Sequence, residues 1–247
     1  MKIAIISIVL LFAPLLVFAD TPITAEKILD RMDQNQNVER QILDTSMIIH
    51  SFRGSRHIKY KTWVIGEEKS FTESLAPARE KGTKMLKLAD DLWIYYPRSD
   101  RVIRIAGHML RQSMAGSDLS YEDMMEKSKL LEGYDATIDG DDVYDGRPVW
   151  VLKLQAKTPD ISYQTRKIWV DKERFIGLKQ ELFAASGKLL KRLDVKEVFK
   201  TSKGWYPRKM VFKDVLKKGK GTELIVHAID FDSKIPNSKF SKSALRR

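Results

Sequence analysis

Residues 107–131 read GHMLRQSMAGSDLSYEDMMEKSKLL, and this stretch decides the fold because it interrupts a chain that otherwise alternates like β-sheet. Met109, Met114, Met124 and Met125 fall within it, four of the nine methionines in the chain. Methionine is unbranched and polarizable, so it packs against apolar surfaces whose shape varies. A segment of this kind carried across a sheet is suited to cover something greasy and to release it. An ordinary loop and helix packed on a core would read the same way in isolation, so the surroundings have to decide. Inside the stretch, Ser120 can cap a helix whose first turn carries Glu122 and Asp123, where acidic side chains are favourable.

On both sides of the interruption the period is two. Met47, Ile49 and Ser51 alternate with Ile48, His50 and Phe52, and Ile58, Tyr60, Thr62 and Val64 alternate with Lys59, Lys61, Trp63 and Ile65. Strands follow at 69–75, 83–88, 91–96 and 101–105, joined by connections short enough for hairpins, such as Ala89-Asp90. Beyond the interruption strands resume at 134–139, 148–156, 163–171, 175–184, 188–199, 205–216 and 222–231, with turns at Asp145-Gly146, Ser186-Gly187 and Lys218-Gly219. One helix precedes them all. Pro22 leads in, Thr24 caps, and Ile28, Leu29 and Met32 share a face; the spacing predicts a helix over 24–31, ended or frayed by the polar run 34–37. An antiparallel sheet of about a dozen strands has to curl, and its concave face has to be filled. The two helical pieces are available to fill it, so the fold class is mainly β (α+β), a deeply curved sheet around helices.

The first residues address the chain for export. Lys2 is followed by an apolar run from Ile3 to Phe18, and Val17-Phe18-Ala19 supplies the small residues of a cleavage site. Residues 1–19 are thus expected to be a signal peptide cleaved after Ala19, leaving 20–247 as a single domain that does not span the membrane. The chain has no cysteine, so it is neither lipidated at a cysteine nor held by disulfides, and burial has to supply its stability. The formal net charge is +11. Export and the spread of lysines along strands argue against nucleic acid and for anionic lipid headgroups or an acidic partner. Lys217, Lys218 and Lys220 form the one tight basic group, read as a solvated hairpin tip.

The catalytic inventory is thin. The sequence holds no thiol, no His-Glu-x-x-His helix and no Gly-x-Ser-x-Gly elbow. His50, His57, His108 and His227 are scattered without ligand spacing. Asp139, Asp141, Asp142 and Asp145 resemble a calcium loop only loosely, because Val143 stands at a ligand position and the bidentate Glu is absent. The expectation is a protein that is not an enzyme and carries no cofactor or metal.

Four motifs resemble the periplasmic outer-membrane lipoprotein-sorting proteins, the LolA/LolB-like superfamily. They are Asp91-Leu92-Trp93-Ile94-Tyr95-Tyr96-Pro97; Gly116-Ser117-Asp118-Leu119-Ser120-Tyr121-Glu122-Asp123-Met124; Lys167-Ile168-Trp169-Val170-Asp171 with Phe175-Ile176; and the closing run from Phe231 to Phe240. Their order spans most of the chain beyond the leader, and they match the carrier-like branch best. The resemblance implies an unclosed β-barrel of about 11–12 strands with helices as a lid over an apolar cavity. It implies a monomeric periplasmic carrier for a lipid or for lipoprotein acyl chains, served by an inner-membrane exporter of the resistance-nodulation-division type or an outer-membrane acceptor. It also implies an arginine on an early strand that helps close the lid; Arg53 and Arg56 lie in that region. The alternative in the same superfamily is a sensor or adaptor that binds a membrane protein.

Candidates for the cavity and lid are Trp63, Phe71, Trp93, Trp150, Trp169 and Leu182 from strands. Met109, Leu110, Met114, Leu119, Tyr121, Met124 and Met125 join them from the interruption. Core packing accounts for any one tryptophan taken alone, and strand parity does not say which face is concave. Such a groove needs no catalyst. Each buried CH₂ contributes about 0.8 kcal/mol, so a chain of ~14 carbons gains on the order of 11 kcal/mol before association costs of about 4–15 kcal/mol.

Overall fold

The structure is a computed structural model that describes residues 22–36, 39–51, 54–125 and 130–247. The leader expected at 1–19, and Arg53, lie outside the described residues. Thirteen strands form one antiparallel sheet: β1 (Arg40–Ser51), β2 (Gly54–Ile65), β3 (Lys69–Ala76), β4 (Lys84–Leu88), β5 (Asp91–Tyr96), β6 (Arg101–Ile105), β7 (Tyr134–Tyr144), β8 (Arg147–Ala156), β9 (Thr165–Asp171), β10 (Gly177–Phe183), β11 (Leu189–Thr201), β12 (Gly204–Asp214) and β13 (Gly221–Asp230). That exceeds the 11–12 of the sequence reading, and β1 begins at Arg40 rather than at residue 45.

The strand order is β6-β5-β4-β3-β2-β1-β13-β12-β11-β10-β9-β8-β7. Two meanders are therefore welded at the centre by β1 and β13, and consecutive strands β6 and β7 stand at opposite edges of an unclosed sheet. The chain between them has to cross the whole width. This is the physical reason for the interruption: the described residues 106–125 and 130–133 belong to the crossing segment.

The sheet bends toward that segment. Lys87 on β4 donates to the Met125 carbonyl at 3.2 Å, and Tyr163, two residues before β9, donates to Asp123 Oδ1 at 2.6 Å. β4 and β9 are eight strand intervals apart, about 38 Å across a flat sheet. Both meet a helix of five residues, α2 (Tyr121–Met125), and strand side chains stand roughly perpendicular to the sheet. No flat sheet allows this.

The face toward the crossing segment carries two clusters. α1 here is Ala25–Gln36, and its Ile28, Leu29 and Met32 pack on Ala136, Leu152, Leu154, Ile168 and Val170 of β7–β9. Thr24 caps it, accepting from the Lys27 N–H at 3.3 Å. The helix ends inside the Gln-Asn run, at Gln36, where Asn35 Nδ2 donates to the carbonyls of Arg174 and Phe175 at 2.9 and 2.8 Å. The second cluster joins Met47, Ile49, Ile58, Tyr60, Leu92, Ile94 and Ile105 to the crossing segment. On the opposite face, residues 235–245 strap β3–β5, burying Ile235, Phe240 and Leu245 against Phe71, Leu86 and Trp93. α3 (Leu130–Gly133) completes the described α-helices.

The aspartates read as a loose calcium loop lie largely within strand β7. Asp139 pairs with Lys167 at 2.7 Å, Asp141 with Lys172 at 2.6 Å, and Asp142 accepts from Trp169 Nε1 at 3.1 Å. Among the described residues no group of three His, Asp or Glu is disposed to hold a metal ion, and no helix is long and apolar enough to cross a membrane.

Candidate functional site

The crossing segment is built as a tight loop followed by a short helix. Ser113 and Ser120 bridge, the Met114 N–H donates to the Leu119 carbonyl at 2.9 Å, and the Ser117 N–H returns to the Met114 carbonyl at 2.9 Å. The turn requires left-handed backbone at Ala115 (φ 50°) and Gly116 (φ 72°). Alanine adopts this conformation only at a cost of roughly 1 kcal/mol. What offsets it is external: the Arg56 guanidinium of β2 donates to the Ala115 carbonyl and lies 3.6 Å from Glu80. At the helix start the reciprocal cap forms, with Asp123 in the place usually held by Glu. The Asp123 N–H donates to Ser120 Oγ at 3.3 Å, and the Ser120 N–H to Asp123 Oδ2 at 2.7 Å.

Downward, the segment presents Met114, Leu119 and Tyr121, each buried in the cluster of Met47, Ile58, Tyr60 and Ile94, with Met109, Leu110 and Met125 packed beside them. Burial and the neighbouring Tyr96 and Tyr60 push the Tyr121 hydroxyl above its ordinary range.

Around its rim the segment is fastened by polar bolts. Asp118 is 6 % exposed. Its carboxylate accepts from the Asp214 N–H at 3.0 Å and from Thr222 Oγ1 at 2.8 Å, and its own N–H donates to Thr222 Oγ1 at 3.0 Å. Lys213 stands 3.8 Å away. Lys217 donates to Ser113 Oγ and to the Ser117 carbonyl. Asp123 takes the Lys191 ammonium and the Tyr163 hydroxyl, and Glu122 takes the Ser162 hydroxyl. Burial raises the Asp123 carboxyl, but the Lys191 charge and the hydrogen bonds from Lys191, Tyr163 and Ser120 outweigh it and hold the group below its ordinary value. Bolts of this kind give way singly, unlike an apolar seam.

Two cavities open beside these bolts. One, of about 560 Å³, lies between Ser113, Leu119 and Ser120 of the segment and Leu190, Lys191, Leu216 and Lys217 of β11–β13. The other, of about 450 Å³, is lined by Leu110, Met125, Tyr134, Ile161 and Arg166. Both are bounded by Glu122, Asp160, Ser162 and Tyr163, so the α2 bolts form the partition between them. Each volume falls in the usual range of small-molecule pockets, about 300–1,000 Å³. Arg166 is buried at the partition, its guanidinium 4.8 Å from the Tyr134 ring and 5.3 Å from the Tyr163 ring. Burial pushes its pKa down to about 10.

Of the residues picked from sequence, Met109, Leu110, Met114, Leu119, Tyr121 and Met125 gather here. Trp150 and Leu182 share this face, but Trp150 lies with the α1 cluster, its ring 5.4 Å from Phe175, and Leu182 stands in register with Arg166 and Lys191. Met124 points outward, 41 % exposed. Trp63, Phe71, Trp93 and Trp169 lie on the opposite face; the first three are under the C-terminal strap, with Lys239 3.7 Å from the Trp63 ring and Lys242 4.3 Å from the Trp93 ring. Those four stand away from the crossing segment and its two cavities. Sequence reasoning named Asp118 only within a motif and Lys217 only as a hairpin-tip lysine, and it missed Lys191, Tyr163 and Arg166. Asp123 was visible only as a helix-start residue, and Arg56 only through the resemblance.

The chain has the LolA superfamily fold, the fold of outer-membrane lipoprotein-sorting protein domains, and three solved structures share it. A DUF1329 family protein from Desulfovibrio piger is 24% identical, covering 90% of this chain and 97% of its own with a TM-score of 0.83. A putative outer membrane lipoprotein-sorting protein domain from Vibrio parahaemolyticus is 25% identical over 90% and 98%, TM-score 0.80. A LolA superfamily protein from Nitrosomonas europaea is 22% identical over 90% and 100%, TM-score 0.74. More particularly, residues 66–247 match the profile of a family described as "Uncharacterized protein", and the chain belongs to that family. No match was found among the curated proteins.

Proposed function

We propose that the protein is a periplasmic carrier that holds a lipid, or the acyl chains of a lipoprotein, beneath the crossing segment and passes it toward the outer membrane. The observation that carries this reading is the mode of attachment. The segment fills the apolar inner face with adaptable Met109, Met114 and Met125, yet is held at its rim by separate polar contacts to Arg56, Thr222, Lys191 and Lys217. Such a cover is a lid. Lifting it exposes the inner face of β1, β2 and β5 and joins the two cavities across their partition. The similarity to the lipoprotein-sorting domain from Vibrio parahaemolyticus supports the carrier class, and the apolar leader supports export. Arg56 then fills the part of the early-strand arginine that closes the lid. In this reading residues 20–247 act as one domain, and an inner-membrane exporter and an outer-membrane acceptor are the partners.

The test is native mass spectrometry of the protein purified from a periplasm, followed by loading with a fluorescent fatty-acid probe. The carrier reading predicts a co-purifying acyl ligand, and loss of probe loading in Met114→Asp and Leu119→Asp without unfolding. A chain that stays empty after incubation with membrane lipid extracts refutes it, and retained loading in both variants refutes the lid.

A further inference from the structure

The basic group Lys217-Lys218-Lys220 is the tip of the hairpin joining β12 to β13, and it stands at the mouth of the larger cavity, which Leu216 and Lys217 line. Residues 215–221 hold three lysines and no acidic residue. Leu216 is 61 % exposed, and Lys218 and Lys220 face solvent. The tip is held in one shape. The Leu216 N–H donates to Asp214 Oδ1 at 3.0 Å and Lys213 donates to the Lys217 carbonyl at 2.5 Å. Gly219 and Gly221 take φ of 121° and 96°, with a Cβ on the latter meeting the Phe212 carbonyl oxygen at 2.5 Å. The nearest acid, Asp214, is turned inward and engaged by the Leu216 N–H, with Lys217 at 3.9 Å. A turn that displays one bare leucine next to a run of lysines matches the chemistry of a bilayer interface, where alkyl groups enter the headgroup layer and lysines meet phosphates.

We propose that this hairpin tip docks the protein on an anionic phospholipid surface, so that the mouth of the cavity faces the headgroup plane. Lys217 gives the contact a consequence, which rests on the lid reading above. Its ammonium holds Ser113 and Ser117 of the lid, and lipid phosphates compete for the same ammonium. Docking therefore loosens one bolt of the lid at the surface where cargo is taken or delivered.

The experiment is vesicle flotation of the full chain lacking its leader. Vesicles of phosphatidylglycerol and phosphatidylethanolamine are compared with vesicles of phosphatidylcholine, at low and high salt. Binding is expected to the anionic vesicles alone and to fall with salt. Lys218→Gln with Lys220→Gln is expected to weaken it roughly 30-fold, and Leu216→Ser to weaken it further. The control removes the same charge at the other end of β12, around the β11–β12 turn, with Lys200→Gln and Lys203→Gln, and is expected to leave binding unchanged. No binding to anionic vesicles, or equal loss in the control, overturns the proposal. Fatty-acid loading, measured in the Lys218→Gln and Lys220→Gln variant, whose two residues lie outside the cavity lining, fails only if the carrier reading fails.

Discussion

Replacing Asp118 by alanine tests whether the crossing segment is a separately opening unit. The carboxylate satisfies the Asp214 N–H and the Thr222 hydroxyl, and Lys213 is its neighbouring cation. Hydrogen bonds to a charged group contribute about 1.5–3 kcal/mol each. Part of that is recovered, because the N–H of residue 118 still reaches Thr222 Oγ1 and water enters once the loop lifts. The opening free energy of the loop is therefore expected to fall by about 3 kcal/mol, which is on the order of 100-fold in the opening equilibrium. Native-state hydrogen exchange reads it directly. The Met114 and Ser117 amides bond only within the loop and report its opening, whereas the Met47 and Ile58 amides of the β1–β2 ladder report the sheet. The loop amides should exchange about 100-fold faster with the sheet amides unmoved. Uniform acceleration of both sets would mean that the loop is part of the global core, and no acceleration would mean that Asp118 bolts nothing; either defeats the reasoning.

Three further outcomes follow from the same geometry. Asp123 has its folded pKa lowered, so its contribution is complete above the unfolded carboxylate value of about 4 and is lost as pH falls through the lower folded value. Protection of the 120–125 amides, relative to their intrinsic exchange, should stay constant from neutrality to about pH 4 and fall only below it, and loosening already at mildly acidic pH would contradict the Lys191 clasp. Phe240→Ala removes a buried ring from beneath the C-terminal strap and should cost about 3–5 kcal/mol in urea unfolding, while folded molecules load a fatty-acid probe as before. Gly221→Ala forces a side chain against the Phe212 carbonyl at positive φ and should destabilise by more than about 1 kcal/mol; a neutral result would show that the hairpin tip is not constrained.

The strands were legible because their apolar residues alternate, and the crossing segment because it breaks that alternation. The faces were not. In β5 the run Leu92-Trp93-Ile94-Tyr95-Tyr96 is apolar on both sides, since Leu92 and Ile94 meet the crossing segment while Trp93 and Tyr95 meet the C-terminal strap. A strand covered on both faces carries no polar side from which to take its orientation. Aromatic bulk therefore drew Trp63, Phe71 and Trp93 to the wrong face. The bolts were hidden for another reason: Asp118, Lys191 and Lys217 look like any solvated charge until the crossing of the sheet brings them within reach of Thr222, Asp123 and Ser113. Their partners lie some 70 to 100 residues away in sequence.

The weld between β1 and β13 also dictates how the chain comes together. The first strand made pairs at once with β2 but finds its second neighbour only in the last, with Met47 set against Leu224 and Ile49 against Thr222. Each half can zip locally as a meander, but the central seam cannot close until the final strand has been delivered. Pairing over such separation is slow, because the loop entropy is paid before any contact rewards it. In the carrier reading proposed above, where the chain is threaded through an export channel from its amino end, that delay would keep it pliant during passage until its last strand has arrived.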